Sequence, residues 1–292
     1  LLNCDLKTLY PLARSMNRKL EFYVGPTNSG KTYNAMKKLK EANSGLYLAP
    51  LRLLALEGYE DLKESNIEAS LITGEEQQLS EDAAHICSTI EMLDFDLEVD
   101  VTIIDEVQML EDIDRGWAWV NAIIGVPAKK VIMTGSVNAL EAVKKIVQYL
   151  DEELEVVRHK RKNPLLVLEK WTPLEKLENG TALIAFSRAE VLKLKQKLQK
   201  KYSVSVIYGN LSPEVRRDEA RRFRDGQSQI LIATDAISMG LNLPIKTILF
   251  TTDTKFDGIS KRKISVNEIV QIAGRAGRFG LFEAGYLGAT RR

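Results

Sequence analysis

Short runs of apolar and β-branched residues alternate along the chain with segments whose apolar positions recur at helical spacing. Such alternation predicts parallel strands buried on both faces and joined by helices. In the first half the strand-like runs are Glu21 to Val24, Gly45 to Ala49, Ala84 to Ser88, Val101 to Ile104 and Lys130 to Met133. In the second half they are Leu165 to Leu168, Ala182 to Phe186, Ser203 to Tyr208, Gln229 to Ala233 and Thr247 to Thr251. Each half carries about five, enough for an α/β sheet of its own. A helix opened by Ser212-Pro213-Glu214 presents Val215, Ala220 and Phe223 as its apolar face, with Arg216, Arg217, Arg221, Arg222 and Arg224 on a solvated one.

With 292 residues, 45% of them hydrophobic, the chain has material for about two ordinary domains and is not a core-poor disordered sequence. No apolar run approaches the roughly 18 to 20 residues that span a bilayer, so no membrane partner is expected. Two cysteines and two histidines can build neither a disulfide framework nor a spaced zinc site. The net charge of +1 is a balance of opposites: residues 1–157 hold 15 basic and 27 acidic side chains, net −12, and residues 158–292 hold 26 and 13, net +13. The sign changes after Asp151 to Glu153, at Arg158-His159-Lys160-Arg161-Lys162, and Pro164 biases Asn163 toward extended backbone. These features place domain one at 1–157, a solvated linker at 158–164 and domain two at 165–292.

The first strand runs into Gly25-Pro26-Thr27-Asn28-Ser29-Gly30-Lys31-Thr32, and a helix-like stretch, Tyr33 to Lys40, follows. Strand, glycine-bounded loop and helix together form a polyphosphate cradle: backbone N–H groups point inward and the helix adds its positive end. Lys31 is expected to reach the terminal phosphates, and Thr32 to hold Mg²⁺ through its hydroxyl. The strand Val101 to Ile104 ends in Asp105-Glu106-Val107-Gln108, where an acid can lie beside the phosphate loop. Asp105 suits the metal, directly or through water; Glu106 suits a base that orients and deprotonates the attacking water.

With Arg115-Gly116-Trp117-Ala118-Trp119 and Gln271-Ile272-Ala273-Gly274-Arg275-Ala276-Gly277-Arg278-Phe279, these motifs resemble the mitochondrial degradosome RNA helicases and their bacterial relatives, a DExH-type superfamily 2 group. The resemblance runs from about Tyr10-Pro11 to Phe279. It implies an α/β fold of two tandem RecA-like domains, ATP and Mg²⁺ as cofactors, and an ATP cleft between the domains. The family's further C-terminal helical region is expected to be absent after Arg292. Gly25 to Thr32, Gln108, Asp235 and Gly240 would bind nucleotide, Gln271 would help place water or phosphate, and Arg275 and Arg278, three apart on a helix-like segment, would act as arginine fingers.

Strand contacts are expected at Pro50 and Arg52, Thr73 and Gly74, Thr89 and Glu91, Ser187 and Arg188, Gly209 and Thr234, where hydroxyls, backbone N–H groups and one Arg per domain suit phosphates. Met133-Thr134-Gly135-Ser136 matches the motif that couples hydrolysis to strand movement, with Ser136 where many relatives are acidic. Trp117 and Trp119 diverge on a helix and are expected to pack. Lys255 to Lys263 has the pattern of a hairpin turning at Gly258.

The leading expectation is an ATP-dependent RNA helicase moving 3′ to 5′ in RNA turnover, acting on RNA with a single-stranded 3′ tail and a duplex, with an exoribonuclease as a candidate partner. A DNA or mixed-substrate helicase with the same engine is one alternative, and a nucleotide-switched clamp that does not unwind is another. Residues 1–20 contain Arg14, Arg18, Lys19 and one acid, Asp5; they are expected to be folded, because Tyr10-Pro11 and Arg14 match the family stretch before the phosphate loop. The preferred location is a bacterial cytoplasm, and the alternative is the mitochondrial matrix of a eukaryote.

Overall fold

The computed structural model describes residues 5–209, 211–238, 243–256, 260–278 and 281–291. The chain divides into two compact units, Leu1–Lys160 and Arg161–Arg292.

Unit 1 is built on β1 (Lys19–Val24), β2 (Gly45–Ala49), β3 (Ala69–Ile72), β4 (Gln77–Gln78), β5 (His85–Thr89), β6 (Val99–Ile104), β7 (Ala128–Gly135) and β8 (Leu154–Arg158). They form one eight-stranded sheet in the order β4-β3-β5-β2-β6-β7-β1-β8, parallel except for the β3/β4 pair. Its helices are α1 (Pro11–Ser15), α2 (Lys31–Lys40), α3 (Arg52–Glu64), α4 (Gly116–Gly125) and α5 (Leu140–Tyr149).

Strand side chains alternate between faces, and the unit has two apolar layers accordingly. Leu20, Phe22 and Val24 of β1 join Trp119, Ile123 and Val143 from α4 and α5 on one face. Tyr23 joins Met36, Leu39, Leu56 and Leu62 from α2 and α3 on the other. Each fully buried large apolar side chain contributes roughly 1.5 to 3 kcal/mol, so the two layers set the position of every strand end above them.

The basic residues before β1 are structural. Arg18 is buried, donates twice to Glu152 at 2.9 and 2.6 Å, and also donates to the carbonyls of Ile123 and Val126 at 3.0 Å. Arg14 donates to the Ile124 carbonyl at 2.7 Å. The segment is therefore folded onto the end of α4, as expected from Tyr10-Pro11 and Arg14.

Unit 2 contains β9 (Leu165–Val167), β10 (Thr172–Pro173), β11 (Thr181–Ile184), β12 (Val204–Ile207), β13 (Ile230–Ala233), β14 (Thr247–Phe250), β15 (Thr254–Phe256), β16 (Lys261–Lys263) and β17 (Gly285–Arg291). Seven of these make a parallel sheet in the order β10-β17-β14-β11-β13-β12, with β9 beside β17. The pair β15/β16 is a separate antiparallel hairpin, and Gly258 lies outside the described residues. Helices α6 (Arg188–Leu198), α7 (Pro213–Arg224) and α8 (Val266–Ala273) complete the unit. On α7, Ala220 and Phe223 are buried, but Val215 is 46% exposed and is not part of the core face.

All ten strand-like runs of the sequence are strands. The additional ones are short, mixed in composition or at sheet edges, where burial on both faces does not write a continuous apolar run. The boundary lies slightly later than the change of charge: β8 pairs with β1 through Arg158, and His159 N donates to the Val24 carbonyl at 2.8 Å, so the first three residues of the basic run belong to unit 1.

Candidate active site

The phosphate loop leaves β1 between two neighbouring strands. Gly25 N donates to the Gly135 carbonyl at the end of β7, 3.1 Å away, on one side, and the backbone of His159 closes the other. A Cβ at position 25 would stand 2.5 Å from the His159 carbonyl oxygen, so the loop can follow this path only with glycine. Asn28 and Gly30 are in the left-handed region, at φ 59° and 81°, which Asn tolerates and Gly adopts without cost. Gly30 caps α2, and Lys31 and Thr32 form its first turn. Pro26, Thr27 and Ser29 complete the curve; Lys31 is buried, with Nζ donating to the Pro26 carbonyl at 3.3 Å.

Asp105 emerges from β6, one strand beyond β7, yet reaches the loop: Thr32 Oγ1 donates to its Oδ1 at 3.2 Å. Thr134 Oγ1 and the Glu106 N–H, at 3.1 Å, also donate to Oδ1, and the Tyr47 hydroxyl donates to Oδ2 at 2.9 Å. Burial pushes the Asp105 carboxyl above the usual range, and the Glu106 charge adds to this; Thr134, Tyr47 and Lys31 oppose it. Burial likewise holds the Tyr47 phenol well above its usual range, keeping it a donor. Trp119 Nε1 donates to the Asp105 carbonyl at 2.9 Å, which fixes the backbone of the same residue.

Glu106 sits at φ 53° and ψ 52°, a left-handed conformation that costs a non-glycine residue about 1 to 2 kcal/mol. The kink turns consecutive acids in different directions. Gln108 donates from Nε2 to the Glu106 carboxylate and accepts at Oε1 from Ser136 N, 3.1 Å away. The Gln108 amide therefore couples Glu106 to the end of β7 through a backbone N–H. That explains why serine at 136 is compatible with the motif, since any residue except proline supplies the same donor.

The loop fits a Mg²⁺-bound polyphosphate on two observations. The Ser29 hydroxyl is buried in the loop with no hydrogen-bond partner, and buried polar atoms without partners are rare. Thr32 and Asp105 place two hard oxygens side by side, the donor class that Mg²⁺ takes.

Around this centre the expected strand contacts are ordered by each other. Arg115 donates from Nε to Glu91 at 2.7 Å and from NH2 to the Pro50 carbonyl at 2.6 Å, joining two strand-end loops. Arg52, at the start of α3, is held by Glu75 at 2.5 Å and Glu76 at 2.8 Å, so its charge is already matched by carboxylates. The Thr73 hydroxyl is buried in a turn with Glu76, while a Cβ at Gly74 would meet nothing within 4 Å. Thr89 ends β5 beside them.

In unit 2, Ser187 caps α6 by accepting from Glu190 N at 3.2 Å, and the Arg188 guanidinium lies 5.7 Å from the centre of the Tyr208 ring. Gly209 is open on its Cβ side, and its carbonyl accepts from Arg216 at 2.7 Å. Thr234 accepts from Ala236 N at 3.3 Å, capping the turn that Asp235 begins, and Asp235 accepts from Lys255 at 2.9 Å. Gly240 and Phe279 lie outside the described residues.

Arg275 and Arg278 do not share one helical face. Gln271 lies on α8, but that helix ends at Ala273, and Gly277 has φ 71°; Arg275 and Arg278 are on the turn after the helix rather than on one face of it. The left-handed turn at Gly277 breaks the helical register that the spacing of the two arginines suggested.

Sequence reasoning left out Tyr47 and gave no role to His159 or Arg115. His159 Nε2 lies 3.0 Å from Asn34 Nδ2, and its ring lies 5.0 Å from that of Tyr23. Its only sequence signal was membership of a basic run, which describes charge and not docking.

The DEXQ-box helicase domain of Suv3 matches residues 7–159, and the helicase conserved C-terminal domain matches residues 163–280. The chain is similar to the ATP-dependent RNA helicase SUV3, mitochondrial, of Candida albicans, at 44% identity over 92% of this chain and 38% of that protein. It is similar to the mitochondrial DExH-box ATP-dependent RNA helicase DExH16 of Arabidopsis thaliana at 42% identity over 93% of this chain and 48% of that protein. The chain thus spans less than half the length of these curated relatives. A solved structure of Saccharomyces cerevisiae Dbp5 bound to RNA and ADP BeF3 covers 98% of this chain and 83% of its own at a TM-score of 0.69 and 16% identity. That likeness concerns the fold, and it agrees with two RecA-like α/β domains. The relatives are named as mitochondrial and support the eukaryotic alternative for location; the preferred bacterial cytoplasm finds no support among them.

Proposed function

Because the chain belongs to the Suv3 family of DEXQ-box helicases, we propose that it is the ATP-hydrolysing engine of an RNA helicase that acts in mitochondria. The observation that carries this reading is the Thr32, Asp105 and Thr134 cluster at the mouth of the phosphate loop. It combines a polyphosphate cradle, a hard-oxygen metal site and an adjacent carboxylate in one network.

In this function Gly25 to Thr32 cradle the phosphates, Lys31 neutralises charge on them, and Thr32 and Asp105 hold Mg²⁺, which supplies Lewis-acid stabilisation when bound. Glu106 accepts the proton of the attacking water, and Gln108 holds Glu106 in place. Gln271, Arg275 and Arg278 belong to the second domain and stabilise charge at the transferring phosphoryl group. Thr234 and the strand-end loops take the RNA backbone, and Asp235 links that contact to the nucleotide. Movement is 3′ to 5′, and RNA turnover with an exoribonuclease is the setting.

The test is ATP hydrolysis stimulated by single-stranded RNA and by DNA of matched length across a salt series. Stimulation by RNA above DNA supports the reading, equal stimulation favours a mixed-substrate helicase, and clamping without strand displacement favours a nucleotide-switched clamp. Glu106→Gln should keep ATP binding and lose turnover by roughly 100-fold or more. Undiminished hydrolysis in that variant would remove Glu106 from its role.

A further inference from the structure

Phe186 follows β11, Asp235 follows β13, Lys255 and Phe256 lie on β15, and Arg262 lies on β16. These five side chains line one cavity of about 300 Å³, at the lower end of the size range of small-molecule sites. Phe186 and Phe256 supply its aromatic lining, and the rest, which makes up most of its surface, is polar. Phe186 is stacked on Phe250 with ring centroids 6.3 Å apart and planes 14° apart, so that wall is braced from behind. Phe256 is 60% exposed, leaving the other wall open.

The polar surface is an ionic network. Lys255 Nζ lies 2.9 Å from Asp235 and 2.7 Å from Glu268, and Arg262 holds both oxygens of Glu268 at 2.8 and 2.9 Å. The Arg262 and Lys255 contacts hold the Glu268 carboxyl well below the usual carboxylate range. Acid and base oppose each other within the network, so the cavity offers fixed donors and an acceptor more than a net charge. That combination disfavours a bare phosphate. It suits a flat, neutral heteroaromatic with donors and acceptors on its edge.

We propose that this cavity is a nucleobase subsite, with the base lying against Phe186 and Phe256 and its edge directed at Asp235, Lys255 and Arg262. The proposal rests on the helicase reading above, which supplies two sources of bases: the bound strand and the nucleotide. A base stacked on an aromatic side chain is sequence-tolerant, as a translocating enzyme requires.

The experiment compares the unsubstituted chain with Phe256→Ala and Phe256→Trp, after thermal melting has shown each to be folded. The probes are a fluorescein-labelled oligouridylate, the same oligomer with internal abasic positions, and ATP. If the strand supplies the base, Phe256→Ala weakens oligouridylate binding by about 5- to 150-fold, the range expected from loss of one stacked base. The same variant no longer distinguishes intact from abasic oligomer, Phe256→Trp restores both, and the salt slope stays unchanged because no phosphate contact is lost. If the nucleotide supplies it, strand affinity is kept, half-saturation by ATP rises, and Phe256→Trp restores it.

Unchanged binding, unchanged abasic discrimination and unchanged ATP saturation in a folded Phe256→Ala would overturn the subsite. Absence of strand-stimulated hydrolysis in the unsubstituted chain would instead overturn the helicase reading, while the intact-against-abasic comparison would still report on the cavity.

Discussion

Thr134→Val isolates the role of one buried hydroxyl. Thr134 is fully buried at the end of β7, and its Oγ1 donates to Asp105 Oδ1 while accepting from Glu106 N at 3.3 Å. Valine keeps the β-branched shape, so strand packing is preserved and the change reduces to lost hydrogen bonding. Asp105 Oδ1 would retain the donors Thr32 and Glu106 N, so no atom is orphaned, and the loss is about one hydrogen bond to a charged group. Such a bond contributes about 1.5 to 3 kcal/mol, and a domain of this size loses about 2 to 4 °C per kcal/mol, which gives a melting drop of roughly 3 to 12 °C. Melting followed by circular dichroism, beside steady-state ATP hydrolysis, measures both consequences. Turnover should fall as well, because Thr134 also fixes the kink that aims Glu106. A Thr134→Val protein that melts with its parent and hydrolyses ATP at the parental rate would refute the claim that this hydroxyl organises the acid pair.

Other substitutions test neighbouring parts of the same structure. Gly25→Ala places a Cβ 2.5 Å from the His159 carbonyl oxygen, which is backbone and cannot rotate away; ATP binding, read by displacement of a fluorescent nucleotide, should fall at least tenfold, and Gly74→Ala, open on its Cβ side, serves as a control for stability. Glu268→Gln should lower the melting temperature most near neutral pH. The folded-state pKa of Glu268 lies well below its ordinary 4.5, so its stabilisation is fully present above that value and fades as pH falls toward the folded-state pKa; the gap between the melting curves of parent and variant should narrow from pH 7 down to about 3 without closing there, and a constant gap would contradict the ionic network.

The phosphate loop and the acid pair were legible from sequence because they are local: strand, loop and helix are continuous in the chain, and a strand that ends in two acids advertises its end. Most of the ten strands were legible for a related reason, since burial on both faces leaves uninterrupted apolar runs; β9, largely exposed, is the exception. Edge strands such as β8 and β10 carry no such signature. The arginine pair shows the limit of spacing: residues three apart face together only where a helix continues, and α8 ends at Ala273, before either arginine.

The sequence by itself determined which residues could carry the proposed chemistry, because the glycine-bounded loop, the Thr32 hydroxyl and the acid pair are short-range patterns of residue type. Only the tertiary structure decided which groups hold them. Tyr47, Thr134 and His159 come from other strands and loops, and they reach the site because β2 and β7 flank β6, and β7 and β8 flank β1, while Arg115 ties the neighbouring strand-end loops together. The aromatic cavity of unit 2 belongs to the same class. Phe186 and Phe256 are separated by seventy positions in the chain and share a cavity only because β11 and the β15/β16 hairpin meet at one end of the sheet, a long-range packing outcome that no local pattern records.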